Sequence, residues 1–361
     1  MQLPYRNLFD KNIKDLFHNA GIVSKHDPRQ FLFFSRMAVY QSRAAAIRRK
    51  NLKRGLEVPP LLIVSITKRC NLKCAGCYSR LLHTSPERDL ERERFGEILA
   101  EAAELGVSII MLAGGEPLVR RELLETAAAF GKVIFPVFTN GTLLDKDYLS
   151  LFIQNPHLIP VISLEGRELE TDARRGDGVY QNFLGLVPAM CQSGIFWGVS
   201  LTITSATWEL QLSEHFLQEY IDLGCRLFFF VEYVPVASGS EDLVLSDEQK
   251  EALPARIDAL RKRFPGLFIA FPGDEVQYGG CLAAGRGFLH VNPSGEVEAC
   301  PFAPYSDTSL RTHTLREALS SPLLLKIREN HDLLQEGKGG CALWANRDFV
   351  QKLVSKSLKP S

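Results

Sequence analysis

The sequence predicts an α/β fold: an open, partial (β/α)6 barrel over residues 59–265, with an N-terminal helical segment over 1–58 and a small C-terminal hairpin domain over 270–350. Three observations carry this. From Leu61 to Val234 short apolar runs alternate six times with longer amphipathic ones, which implies right-handed crossovers and a parallel sheet. The short runs are nearly continuous in Val, Ile, Leu and Phe, as strands covered on both faces must be. Six such units fall short of the eight that close a barrel.

The leading segment reads as helical and set apart from the barrel. Ser35 to Gly55 carries seven basic residues, Arg48 among them, and no acidic one, with apolar side chains interleaved. Such a run either lies on an anionic surface or packs on its own protein with a solvated face. The second reading is favoured over membrane contact through 35–55. Pro59-Pro60 ends the helical stretch. Strands are expected at Leu62–Thr67, Ser108–Ala113, Val133–Thr139, Ile159–Leu164, Phe196–Thr202 and Leu227–Val234. Helices are expected near 90–105, 120–130, 145–153, 180–193, 209–223 and 247–263. Further on, Phe288–Asn292 and Glu296–Ala299 flank Pro293-Ser294-Gly295, the pattern of a β-hairpin with a glycine turn.

Composition narrows the function. Lys+Arg 42 balances Asp+Glu 42, and no basic patch with interleaved aromatics occurs, so nothing argues for nucleic acid. No apolar run approaches the ~20 residues of a membrane span. Met1 to Asp10 contains charges and lacks the apolar core of a secretory signal. Eight cysteines without that signal point to metal or redox chemistry in a reducing cytoplasm rather than to disulfides.

In such folds chemistry gathers at the C-terminal ends of the strands. Strand one runs into Cys70-Asn71-Leu72-Lys73-Cys74-Ala75-Gly76-Cys77-Tyr78, three thiols on one short loop. Iron–sulfur clusters are held by thiolates, so three such ligands hold three irons of a cubane and leave the fourth open to a chelating molecule. Zinc is the alternative, but it needs four closing ligands, and the nearest further candidate is His83. Strand two ends in Gly114-Gly115-Glu116-Pro117, glycines that permit close backbone approach and a carboxylate able to receive an ammonium group. Strand three ends in Thr139-Asn140-Gly141 and strand four in Ser163-Leu164-Glu165-Gly166, with Arg174-Arg175 further along. Strand six ends in Glu232-Tyr233, substrate-side candidates of which alternation lets one point inward. Cys191 and Cys225 read as buried free thiols.

At the Cys70–Tyr78 loop the sequence resembles the radical S-adenosylmethionine (radical SAM) superfamily. The resemblance implies the same partial barrel, a [4Fe–4S] cluster on Cys70, Cys74 and Cys77, and S-adenosylmethionine chelated at the open iron. One electron then yields methionine and a 5′-deoxyadenosyl radical. It further implies that Gly114, Gly115, Glu116 and Pro117 bind the cofactor's amino end, and that Asn140 and Tyr78 lie near the cofactor. Ser163 and Arg175 would meet its ribose and carboxylate. Glu165 and Thr171 depart from the Asp and His of the related pattern, and the adjacent Arg174 leaves the arginine open by one position. The spacing of Cys281, Gly295 and Cys300, with Cys341 after Gly339-Gly340, resembles a shortened SPASM/twitch auxiliary-cluster extension. Those three cysteines would hold one auxiliary iron–sulfur cluster.

The resulting expectation is a radical SAM enzyme, an oxidoreductase that tailors a peptide or a small precursor such as a tetrapyrrole. It would draw electrons from an external flavodoxin or ferredoxin. Two rivals remain: a radical SAM transferase acting on a lipid or tetrapyrrole, and an iron–sulfur electron carrier or sensor. The last leaves Gly114–Pro117 and Arg175 without purpose.

Overall fold

The computed structural model describes residues 4–25, 27–271, 278–330 and 341–357. Two long helices lead the chain, α1 (Pro4–Val23) and α2 (Pro28–Leu52). Asp27 caps α2 by accepting from the N–H groups of Arg29 and Gln30, and Pro28 sits in the first turn, where its missing donor costs nothing. Of the seven basic residues after Ser35, Arg48 alone is buried, ion-paired with Asp10 and donating to the Gly106 carbonyl. The outer face exposes Phe31, Leu32, Val39 and Ile47. The segment is less separate than its sequence suggests, because Ile13, Phe17, Phe34 and Met37 share one apolar core with the strands.

The six expected strands form as β1 (Leu61–Ser65), β2 (Ile109–Ala113), β3 (Phe135–Thr139), β4 (Leu158–Leu164), β5 (Gly198–Ile203) and β6 (Leu227–Glu232), each parallel to the next. Between and after them run α3 (Tyr78–Leu82), α4 (Arg92–Leu105), α5 (Arg121–Ala128), α6 (Lys146–Gln154), α7 (Glu168–Arg175), α8 (Val179–Gln192), α9 (Trp208–Gln211), α10 (Glu214–Asp222) and α11 (Asp247–Arg263). The helix expected over 209–223 is two, because the Ser213 hydroxyl accepts from the Phe216 N–H and starts α10 afresh.

Two features extend the predicted barrel. A seventh strand, β7 (Leu267–Phe271), pairs in parallel with β6. The hairpin strand β8 (Phe288–Val291) pairs in parallel with β1, and β9 (Val297–Glu298) runs antiparallel to β8. One nine-stranded sheet results, ordered β7-β6-β5-β4-β3-β2-β1-β8-β9. It curls until Phe271 and Phe288 meet edge to face, ring centroids 6.5 Å apart. α1 lies across the lower opening, where Asn12 donates to the Tyr278 hydroxyl oxygen at 2.7 Å. Between α1 and the concave face lies an apolar cavity of about 380 Å³, lined by residues including Met111, Ile159 and Phe229. Strand alternation then puts Ser163 and Tyr233 on that concave side and Glu232 on the helix side. Among the described residues no helix is long and apolar enough to cross a membrane.

Candidate active site

The cysteine loop leaves the top of β1 and is held from three directions, by backbone from two of them and by side chains from the third. Gly115 N–H donates to Thr67 O at 2.7 Å and Glu116 N–H to Arg69 O at 2.8 Å. A Cβ on Gly114 would stand 2.5 Å from Thr67 O, and one on Gly115 would overlap Arg69 O. The paired glycines therefore admit the cysteine loop itself, whereas their sequence pattern alone suggests close approach of a ligand. Across the site, Ala75 N–H donates to Arg174 O at 2.9 Å, and Arg174 Nε returns a bond to Ala75 O at 3.2 Å. From β3, Asn140 Nδ2 donates to Asn71 Oδ1 at 3.0 Å, and Asn71 Nδ2 donates to Thr142 Oγ1 at 2.7 Å. Gly76 takes φ +64, and a Cβ there would lie 2.9 Å from the Tyr233 hydroxyl. Tyr233 thus covers the loop, while Glu232 is buried away from it.

Cys70 is exposed, and Cys74 and Cys77 are half-buried. Burial pushes the Cys74 thiol up, and the guanidinium charges of Arg175 and Arg174 pull against it. Leu72 N–H approaches Cys70 Sγ at 3.4 Å, a contact that favours the thiolate. Three thiols on a pinned loop, beside two arginines, form a donor set that fits an iron–sulfur cluster bound through three irons. Among the described residues no fourth ligand joins them: His83 turns away to Pro301 and Glu298.

Glu116 is almost fully buried. Oε1 accepts from Leu118 N–H at 2.9 Å and Thr139 Oγ1 at 2.7 Å, and Oε2 accepts from Asn140 N–H at 2.8 Å. Burial raises its pKa, opposed by these donors and by the charge of Arg175. Of about four lone-pair positions on a carboxylate, one on Oε2 is left for a further donor.

The two arginines that the sequence leaves ambiguous divide their work. Arg174 is engaged with Ala75 O, with Thr202 Oγ1 at 2.6 Å and with Glu165 Oε1 at 2.7 Å. Arg175 also reaches Glu165 Oε1, at 2.6 Å, but its buried Nε has no hydrogen-bond partner. Its charge acts on both Cys74 and Glu116. Thr171, standing where the related pattern has His, is buried and accepts from Glu165 N–H at 3.2 Å. Ser163 is half-buried on β4 close by.

The second cysteine set also assembles. Cys300 is hydrogen-bonded with Cys341, and that bond, then burial, then the charges of Cys341 and Cys281 hold its thiol well above the ordinary range. All three residues are buried. Gly339 and Gly340 lie outside the described residues. Tyr78 stands between the two sets: its hydroxyl is raised by burial and then by Cys77 and Cys300, and its ring packs 5.1 Å from Phe302. Cys225 is buried as expected, but Cys191 is exposed, because its end of α8 faces solvent. Neither is drawn into either set. Sequence reasoning missed Asn71, His290 and Glu298, and it gave Thr202, at the end of strand five, no firm role. Apart from the bonds of Glu298 to His290 and Asn292 within the hairpin, their partners lie far along the chain, and Asn71, inside the cysteine loop, carried a local signal.

Residues 64–211 match the family model of the radical SAM superfamily. The chain carries a radical SAM domain. Such domains work with a [4Fe–4S] cluster and S-adenosylmethionine, and Cys70, Cys74, Cys77 and the tops of β2 to β4 fall inside the matched span. The chain is 26% identical over 316 residues to an AdoMet-dependent heme synthase of Methanosarcina barkeri, covering 79% of this chain and 88% of that protein. It is 27% identical over 282 residues to a PqqA peptide cyclase of Rhizobium meliloti, covering 73% of each. Among solved structures, Streptococcus suis SuiB bound to S-adenosylmethionine shares the fold with a TM-score of 0.63 at 17% identity, covering 85% of this chain and 76% of SuiB.

Proposed function

We propose that this radical SAM enzyme performs a redox-type modification of a peptide or a small precursor, in the manner of a peptide maturase or a tetrapyrrole-tailoring enzyme. The supporting observation is the second thiol set. Cys281, Cys300 and Cys341 converge beside Tyr78, whose hydroxyl feels both Cys77 and Cys300, and an auxiliary iron–sulfur cluster there would exchange an electron with substrate or with the first site. When bound, the first cluster and S-adenosylmethionine supply one electron and a 5′-deoxyadenosyl radical.

The chain's own residues position these groups. Arg174, Asn140 and the Gly114-Gly115 backbone hold the cysteine loop. Glu116 Oε2 offers its free lone pair to the cofactor's ammonium, Arg175 turns its unpartnered Nε toward the carboxylate, and Ser163 meets the ribose. Tyr233 closes one side of the substrate space. A flavodoxin or ferredoxin supplies the electron from outside. A precursor peptide is named for SuiB and a peptide for the PqqA cyclase, whereas the heme synthase, matched over 79% of this chain against 73% for the cyclase, favours a tetrapyrrole as the second reading.

The test is iron content after anaerobic reconstitution with Cys70, Cys74 and Cys77 all changed to Ala. About four irons remaining per chain support the auxiliary cluster and the oxidative reading. No iron remaining moves the transferase reading ahead. In parallel, reduced wild type should release 5′-deoxyadenosine from S-adenosylmethionine. A chain that never does so is an electron carrier or sensor.

A further inference from the structure

A third donor cluster lies beside the cysteine loop and belongs to neither thiol set. His83 caps α3, the helix that starts just after Cys77; His290 is on β8, and Glu298 faces it from β9. All three are buried, and one ligand atom from each lies within 4.8 Å of the other two.

The hydrogen bonds fix which atoms are free. His83 Nε2 lies 3.2 Å from the Pro301 carbonyl, which only accepts, so Nε2 carries the proton and Nδ1 presents a lone pair. That lone pair faces Glu298 Oε1 at 3.8 Å. Two acceptors facing each other in a buried site leave room for a cation between them, and 3.8 Å exceeds hydrogen-bond length. It suits an ion bonded about 2.0–2.2 Å from nitrogen and from carboxylate oxygen. His290 completes the set: Nδ1 lies 2.7 Å from Glu298 Oε2, and Nε2 lies 2.9 Å from Ser65 Oγ. Asn292 Nδ2 holds Glu298 Oε1 at 2.7 Å. Both imidazoles therefore turn one nitrogen inward to a shared carboxylate and anchor the other on an oxygen, as metal-bound histidines do.

We propose that His83, His290 and Glu298 bind one divalent transition-metal ion, of the zinc or ferrous class, separate from either cysteine set. Two imidazoles and one carboxylate are the donor set those ions take. The same burial that pushes His83 down to about 4 and His290 to about 3 keeps both imidazoles neutral and ready to ligate. The ion ties together the helix after Cys77 and the hairpin strand two residues before Cys300. It thereby fixes the spacing of the two thiol sets.

The experiment uses the full chain with its clusters reconstituted, so that the thiols are occupied. It is incubated with Zn2+, washed with a weak chelator, and examined by metal analysis and zinc-edge X-ray absorption. Wild type should retain about one zinc per chain with only nitrogen and oxygen scatterers, near about 2.0–2.1 Å. Glu298→Gln and His83→Asn should each retain less than about a tenth of that, and zinc should raise the melting temperature of wild type only. Iron content and circular dichroism identify any variant that has misfolded. No retained zinc in wild type, equal retention in a folded Glu298→Gln chain, or sulfur scatterers near about 2.3 Å would overturn the assignment.

Discussion

Arg174 and Ala75, 99 positions apart, bind each other through backbone and side chain at once, Ala75 N–H to Arg174 O at 2.9 Å and Arg174 Nε to Ala75 O at 3.2 Å. The end of α7 is thereby fastened to the middle of the cysteine loop. Arg174→Met removes the side-chain half of this link, the bond to Thr202 Oγ1 and one of the two partners of buried Glu165. Urea unfolding should show a loss of about 1–3 kcal/mol. The cluster should also leave faster under chelator than from wild type. Arg174→Lys keeps the charge but not the fork and should rescue only part of either effect. An unchanged iron half-life in Arg174→Met would mean that the β2 and β3 contacts suffice to hold the loop.

Gly115 bears on the same loop from the opposite side. Because a Cβ would overlap a backbone oxygen rather than the tip of a flexible side chain, Gly115→Ala forces the loop itself to shift. The expected cost is about 1–3 kcal/mol, with reconstituted iron well below wild type. Gly178 is the control. It has positive φ but nothing within 4 Å of its Cβ, so Gly178→Ala should leave iron content at the wild-type level. Equal iron in the two variants would sink the steric account.

What could be read from the chain alone depends on how local each signal is. β1 to β6 were readable because each buried parallel strand is a continuous apolar run, and α11 fell at Asp247–Arg263 as expected because Ser246 and Gln249 form a capping box. The pairing of β8 with β1 was not readable, since a hairpin's local pattern reveals only its own partner strand. In the site, spacing identified the thiols, and resemblance supplied the glycine pair. What the glycines admit depends on where Thr67 and Arg69 fold back, which no periodicity records. Arg174 and Arg175 are adjacent in sequence and differ only in what each touches.

His157 offers a pH test remote from the cysteines. Its Nε2 lies 3.1 Å from Ala128 O, and burial holds its pKa below the ordinary 6.5. Below about 6.5 the unfolded chain takes up a proton at this position that the folded chain resists. Its contribution is therefore complete above that pH and is lost as pH falls toward the folded value. His157→Gln keeps a donor and removes the titration, so wild type should lose stability more steeply than the variant between about pH 7 and 5. Parallel profiles would show that His157 is as easily protonated in the fold as outside it.

Arg175 separates binding from scaffolding. It shares Glu165 with Arg174, yet it makes no hydrogen bond to the loop backbone, and its Nε is buried without a partner. If that nitrogen serves the carboxylate of S-adenosylmethionine, Arg175→Gln should weaken cofactor binding about 10- to 100-fold, the worth of a charge-assisted bond. Iron content and cluster half-life should stay at the wild-type level, the reverse of the pattern expected for Arg174→Met. Equilibrium dialysis of labelled cofactor against the reconstituted chain reads the first quantity, and chelator challenge reads the second. Lost iron with unchanged affinity per intact cluster would make Arg175 a second fastening of the loop. The carboxylate partner would then have to be sought elsewhere on the concave face, with Ser163 the next position to vary.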